Sequence, residues 1–269
     1  MKILFFGDVY GKNGRIGLRE ALPKLLKKFA PDFVLANAEN LAHGRGPTEK
    51  QLAELAEAGI DGFTSGNHIF DAHGYEELFA KNAFPLARPA NYPDGVPGKG
   101  FFVLEKRRKL VPAKAGKLFV GNLMGRIFMG DPLDNPFFAA EKLIATARKL
   151  KIKNIFIDFH AEATSEKTML GHFVDGKISA LVGTHTHVQT ADERILPRGT
   201  AYISDAGFCG VLNSAIGAKP EAALKRFLTQ LPAKLEMAEG RPIIVSGVFV
   251  ETDANGRAEK IERIYELVE

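Results

Sequence analysis

The stretch ISALVGTHTH, residues 178–187, sets a mainly apolar run (178–182) directly before Gly183, Thr184, His185, Thr186 and His187. A short apolar run closed by glycine reads as a buried strand. In an extended segment, side chains two apart lie on the same side. The imidazoles of His185 and His187 are therefore expected to converge on one point at the strand's end. Imidazole is the commonest metal-binding side chain. Two solvated histidines on a loop would look the same, so the meaning of the pair depends on what the other strands end in.

Four more strand-like runs end in ligand-type residues. Residues 3–7 lead to Asp8, and 33–38 lead to Glu39 and Asn40. Residues 61–65 lead to Gly66, Asn67 and His68, and 154–159 lead to His160. In open α/β sheets, ligands bind outside the carboxyl ends of the strands. Each coincidence is bland alone: Asp8 could cap a helix, Glu39 could be a solvated acid, Asn67 could hold a turn, and His160 could be structural. Five strand ends together point to a shared metal site. Carboxylates, amide oxygens and imidazoles without thiolate disfavour a Cys-rich structural zinc site and suit Mn, Fe, Co, Ni or catalytic Zn. The set exceeds what one tetrahedral ion needs, and a carboxylate can bridge two ions. Two metals about 3.5–4 Å apart activate water and hold the attacking and leaving oxygens of a phosphoryl displacement.

Helical spacing links the strands. Leu18, Leu22, Leu25, Leu26 and Phe29 recur on one face, with Lys24, Lys27 and Lys28 opposite and a bend or restart expected at Pro23. Thr48 is a plausible N-cap for a helix through Leu52 and Leu55 that Gly59 closes. Further helices are expected over 75–81, 138–150 and around Leu224, Phe227, Leu228 and Leu231, the last with Pro220 near its start. Residues 85–100, with four prolines, read as a long ordered loop. Strands at 101–104 and 118–122 flank a basic hairpin, Lys106, Arg107, Arg108 and Lys109, which reads as a solvated turn. Residues 243–250 and 260–268 read as a closing hairpin around Asp253, Asn255 and Gly256. With no repeat, low-complexity tract or linker, residues 1–269 read as one domain.

Composition narrows the class. The 269 residues are 45% hydrophobic and 25% charged, ordinary for a soluble globular protein. The single Cys209 excludes an intramolecular disulfide, fits a reducing compartment and reads as a small buried residue. The apolar start is too short for a signal peptide, and no run approaches a membrane span. The expected location is the cytoplasm, with no membrane partner. A net charge of +4 is compatible with anionic substrates and does not by itself indicate a nucleic-acid binder.

Gly-Asp at the first strand, Gly-Asn-His at the third, a later histidine and Gly-x-His-x-His resemble, in that order, the calcineurin-like metallophosphoesterases. The departures are Tyr10 where that superfamily has His, Glu39-Asn40 in place of Gly-Asp-x-x-Asp, and Ile69 where many relatives carry an acid. They point away from protein phosphatases and match a narrower branch, the YmdB-like bacterial phosphodiesterases. The matching stretches run from end to end: Gly7-Asp8-Val9, NAENLAH at 37–43, Gly66-Asn67-His68, Arg88-Pro89-Ala90-Asn91, IDFHAEATSEK at 157–167 and GTHTHVQTA at 183–191.

The resemblance implies a four-layer α/β/β/α sandwich. It implies one ion held by Asp8, Glu39, Asn40 and His187, and a second by Glu39, Asn67, His160 and His185. Glu39 would bridge, and the metals would be iron or manganese. It implies hydrolysis of phosphodiesters, including 2′,3′-cyclic nucleotides such as 2′,3′-cAMP and 2′,3′-cGMP, by a bridging hydroxide with His68 as general acid. Two other readings compete: a nucleic-acid-binding or regulatory protein with a non-catalytic metal site, supported only by the basic balance and the 106–109 cluster, and a metal-dependent phosphomonoesterase. A homo-oligomer is compatible with the sequence. Among the other histidines, His43 is a candidate to support the site, and His73 and His172 read as surface residues. Glu162, Thr164 and Ser165 read as a helix cap, or as support for His160.

Overall fold

The eight residues of strand β1 (Lys2–Val9) show how the layers arise. Alternate side chains of a strand face opposite ways. Leu4 and Phe6 pack among Leu18, Leu22 and Leu25 of helix α1 (Gly11–Phe29) and Leu52 and Leu55 of helix α2 (Glu49–Ala58). Ile3 and Phe5 face the other way, onto Leu118, Val120, Phe156 and Val182 of a second sheet. That second sheet repeats the arrangement: Phe119, Ile157 and Phe159 turn outward onto helices α4 (Pro136–Lys149) and α5 (Thr164–Val174). Three cores thus separate four layers, helix, sheet, sheet and helix, as expected.

The computed structural model describes residues 1–105 and 116–269. The basic stretch 106–109 lies outside the described residues. The remaining elements, in chain order, are β2 (Phe33–Asn37), β3 (Gly62–Thr64), α3 (Tyr75–Lys81), β4 (Phe101–Glu105), β5 (Lys117–Met124), β6 (Asn154–His160), β7 (Ala180–Thr184), β8 (Arg194–Ile195), β9 (Ala201–Ile203), β10 (Phe208–Val211), α6 (Pro220–Thr229), β11 (Ile243–Thr252) and β12 (Ala258–Val268). One sheet runs β12-β11-β10-β1-β2-β3 and the other β4-β5-β6-β7-β9-β8. Strands β10, β1, β2 and β3 are parallel, as are β5, β6, β7 and β9. β11 and β12 form the expected antiparallel hairpin.

Several boundaries differ from the sequence expectation for identifiable reasons. α1 starts at Gly11 and continues through Pro23; the leucines on its buried face hold it against the sheet despite the missing backbone donor. α2 has the full capping box of Thr48 and Gln51, and Gly59 closes it at a φ of 116°. The short strands β8, β9 and β10 were not anticipated, because two to four residues carry no measurable periodicity. Helix α6 forms where the leucines predicted it, but none of its residues is buried, and Phe227 and Leu228 face outward. No helix among the described residues is long and apolar enough to cross a membrane.

The second sheet leaves little room where β7 runs beside the end of β9. A Cβ at Gly183, on β7, would collide with the Ser204 carbonyl oxygen and press on the Lys167 side chain. We expect Gly183→Ala to destabilise the protein by about 3 kcal/mol, at the upper end of overpacking costs. The effect should appear as a lower denaturant midpoint at unchanged slope. An unchanged midpoint would show that the segments at Gly183 and Ser204 can move apart freely.

Candidate metal centre

The alternation that builds the inter-sheet core also places polar groups at its end. On β6, Phe156 lies in that core, and Asp158 and His160 follow on the same face, both fully buried. On β2, Phe33 and Leu35 lead in the same way to Asn37, and on β7, Ala180 and Val182 lead to Thr184. β1 needs a correction to its phase. Its register shifts between Phe6 and Asp8, and Val9 returns to the helix-side core. That irregularity, at Gly7, turns Asp8 toward the second sheet, where its Oδ2 accepts the backbone N–H of His185 at 3.1 Å. Bulges of this kind re-aim side chains beside functional sites.

All seven expected ligands come together. His160 Nε2 lies 3.0 Å from Glu39 Oε2, 3.0 Å from Asn67 Oδ1 and 2.9 Å from His185 Nδ1. His187 Nε2 lies 3.2 Å from Asn40 Oδ1 and 4.0 Å from Asp8 Oδ1. The Asn40 amide nitrogen donates to the Gly44 carbonyl at 2.9 Å, which turns its oxygen toward His187. His187 Nδ1 donates to the Ile216 carbonyl at 2.8 Å, which leaves Nε2 facing the site. Two groups have the spacing to hold a metal ion, Glu39 with His160 and His185, and Asp8 with Glu39 and His187.

The donor set fits metal ions on two further observations. Asp8 Oδ1 is the one buried side-chain polar atom without a hydrogen-bond partner among the described residues. Leaving such a group unmatched is costly. His160 Nε2 carries at most one proton, yet it faces three close polar atoms. Ligand atoms about 2.1 Å from a shared ion, set at right angles, are about 3 Å apart, which is the spacing found here.

The expectation that His185 and His187 share one point fails. His185 joins Glu39 and His160, and His187 joins Asp8 and Glu39. The segment after Thr184 is a turn, with φ of 106° at His185 and 63° at His187. Strand alternation therefore does not apply to it, and Glu39 is the residue common to both groups.

Charge is concentrated here. Burial alone would raise Glu39, but the charge and hydrogen bond of His160, with His68 and His185 beyond, hold its carboxyl down at about 2. Burial opposes a charged His160, yet Glu39, Asp8 and Asp158 push it up to about 9. Burial and the neighbouring His160 hold His185 down at about 3, so its imidazole is neutral. Asp8 is raised by burial, against the pull of His187 and His160.

His68 lies beside these groups and lines the same cavity of about 640 Å³, with Glu39, Asn40, His43, His185 and His187. Its Nδ1 lies 2.8 Å from Asp71 Oδ2. Asp71 was not singled out in the sequence; its offset of three from His68 is the signal that could have found it. Glu162 Oε2 lies 3.2 Å from His185 Nε2, so it supports His185 rather than His160. The capping expectation for this segment is not met, because the N-cap of α5 is Ala163. His43 reaches the cavity, and His73 and His172 are exposed. Arg88 donates to the carbonyls of Pro89 and Pro97, and Asn91 to those of Met124 and Asp134, so both hold loops.

Comparison with known proteins places this constellation. The model of the YmdB-like protein family matches residues 4–264. The chain belongs to the YmdB-like family. Through it the chain belongs to the calcineurin-like metallophosphoesterase superfamily. It is 49% identical over 265 residues, 98% of this chain and 96% of the relative, to the 2′,3′-cyclic-nucleotide 2′-phosphodiesterase of Bacillus subtilis. A crystal structure of a hypothetical protein from Thermus thermophilus superposes with a TM-score of 0.89 at 38% identity, covering 99% of each chain. That of a novel phosphatase from Mycoplasma pneumoniae superposes with a TM-score of 0.89 at 35% identity, covering 99% of this chain and 93% of that one.

The turn bearing the paired histidines is held by a buried ion pair that the sequence reading did not isolate, although Lys167 ends its longest matching stretch. Lys167 Nζ donates to Asp205 Oδ2 at 2.7 Å and to the Thr184 carbonyl at 2.9 Å. The same Asp205 oxygen accepts Thr186 N–H at 3.1 Å and Thr186 O–H at 2.9 Å. We expect Lys167→Met to cost about 3 kcal/mol, because it strands a buried carboxylate. The melting temperature should fall by about 6–12 °C. A melting temperature unchanged from the parent would show that the pair does not hold the turn.

Proposed function

We propose that the chain is a dinuclear phosphodiesterase that opens 2′,3′-cyclic nucleotides. The observation that carries this reading is the packing of Glu39, Asn67 and His185 at 2.9–3.0 Å around His160 Nε2, beside the unpartnered Asp8 Oδ1. Asp8, Glu39, Asn40 and His187 would hold one ion, and Glu39, Asn67, His160 and His185 the other, with iron or manganese as the metals. When bound, such ions lower the pKa of water and stabilise charge developing on the phosphoryl oxygens. The 49% identity to the Bacillus relative across nearly the whole of both chains, and that relative's name, support the substrate class. We read residues 1–269 as one domain, since both sheets supply one centre, and keep the cytoplasm as its expected location on the sequence's single cysteine.

The protein's own groups account for the remaining chemistry. His68 lines the cavity, and its Nδ1–H points to Asp71, which orients the ring. Asn67 Nδ2 lies 3.2 Å from His68 Nε2 and donates to it when that nitrogen is unprotonated; when protonated, the same nitrogen faces the cavity and would carry the proton to a leaving alkoxide. The cations lining the cavity, Arg45, Arg226 and Lys234, are all exposed. They can attract an anion, but they form no buried clamp of the kind a dianionic monoester would favour. A cyclic diester carries a single charge and needs its leaving oxygen protonated, which suits this arrangement. Of the two supports for a nucleic-acid-binding role, the basic balance and the 106–109 cluster, the second lies outside the described residues.

With Mn²⁺ added, 2′,3′-cAMP should be opened to a monophosphate faster than p-nitrophenyl phosphate is hydrolysed at equal concentration. Preference for p-nitrophenyl phosphate, or release of free phosphate from the nucleotide product, would move the protein to the phosphomonoesterases. For His68→Ala we expect bound metal to be retained and the rate on 2′,3′-cAMP to fall on the order of 10²–10⁴-fold. The loss should shrink on a p-nitrophenyl diester, whose leaving group needs little protonation. Equal losses on both substrates would remove the general-acid role.

A further inference from the structure

Beneath the centre lies a hydrogen-bond chain whose direction can be assigned. Asn37 Oδ1 accepts the Glu39 backbone N–H at 3.0 Å, so the Asn37 amide nitrogen must face the other way. There it donates to Asp158 Oδ2 at 2.9 Å and to the Ser65 carbonyl at 3.1 Å. Thr64 Oγ1 also donates to Asp158 Oδ2. The remaining oxygen, Asp158 Oδ1, takes the Thr184 hydroxyl proton at 2.7 Å. Thr184 has only that proton to give, so its oxygen accepts from His160 Nδ1, 2.9 Å away. With Nδ1 held protonated, the proton that His160 gives up to bind an ion must leave Nε2, whose lone pair then faces Glu39, Asn67 and His185. In the opposite tautomer, Nε2 would donate to the Glu39 carboxylate and could not bind an ion.

We propose that Thr184 is a positioning residue, which relays the Asp158 carboxylate to His160 and holds that imidazole in its ligating tautomer. The inference rests on reading the centre as a metal site. His160, Thr184 and Asp158 are all fully buried, so no water can take over if the hydroxyl is lost. Partners of this kind to a ligating histidine are typically worth about 10–100-fold in metal affinity.

The test is titration of chelator-stripped protein with Mn²⁺, reading free Mn²⁺ by electron paramagnetic resonance. The parent should take up two ions. Thr184→Val should weaken one of them by about 10–100-fold and leave the other, on Asp8, Glu39 and His187, near the parent value. Thr184→Ser, which restores the hydroxyl, should bind both within about threefold of the parent, since it keeps the relay. Parent-like affinity for both ions in Thr184→Val would overturn the proposal, as would a serine variant as weak as the valine one. If circular dichroism shows Thr184→Val unfolded, Asp158→Asn takes its place. Its amide would donate to Thr184 and reverse the chain, so parent-like affinity there would equally overturn the proposal. A parent that takes up no Mn²⁺ would overturn the metal-centre reading itself, an outcome distinct from the others.

Discussion

The buried carboxylate of Asp158 is the constraint on which the rest of the centre depends. It lies where the apolar filling between the two sheets ends, and burial pushes it up to about 7. An acid in that position is tolerable only if donors surround it. The donors come from both sheets: Asn37 and Thr64 from one, Thr184 from its own. Satisfying one carboxylate therefore ties β2, β3, β6 and β7 together at their carboxyl ends. The loops leaving those strands carry Glu39, Asn67 and His185, and the last residue of β6 is His160. The candidate ligand set thus rests on a polar floor whose own hydrogen bonds demand a fixed separation of the sheets.

A second constraint concerns strand phase. Period-two alternation delivers Asn37, Asp158, His160 and Thr184 to the inter-sheet face without special measures, because Leu35, Phe156 and Val182 on the same strands already face that core. β1 alone is out of phase, and its irregularity at Gly7 restores Asp8 to the correct face. A side chain at Gly7 would run into the Gly207 carbonyl, so the crossing of the chain there requires glycine. The price is one carboxylate oxygen left without a partner at the centre of the site, an arrangement that makes sense for an atom that binds a cation.

Much of the centre was legible in the residues themselves. Five runs ending in oxygen and nitrogen ligands identified Asp8, Glu39, Asn40, Asn67, His160, His185 and His187, because a sheet whose strands end together must gather whatever follows them. Asp71, Glu162, Lys167, Asp205 and Thr184 were not identified by that argument. Their roles lie in what they touch, and acids, lysines and threonines occur at so many surface positions that type and spacing do not distinguish them.

By itself, the sequence determined the longer strands and helices, that five of the strands end in metal-type donors, and that no Cys-rich site could form. Hydrophobic periodicity and ligand chemistry are local properties, so they can be read along the chain. Residue type and spacing alone did not decide how those donors divide. His185 and His187 serve different groups because the turn between them takes left-handed backbone angles, which strand alternation cannot anticipate. The phase of β1, the ion pair of Lys167 with Asp205 and the direction of the Asp158–Thr184–His160 chain were decided only in the tertiary structure. Each depends on contacts between residues far apart in sequence, and such contacts exist only once the sheets have packed.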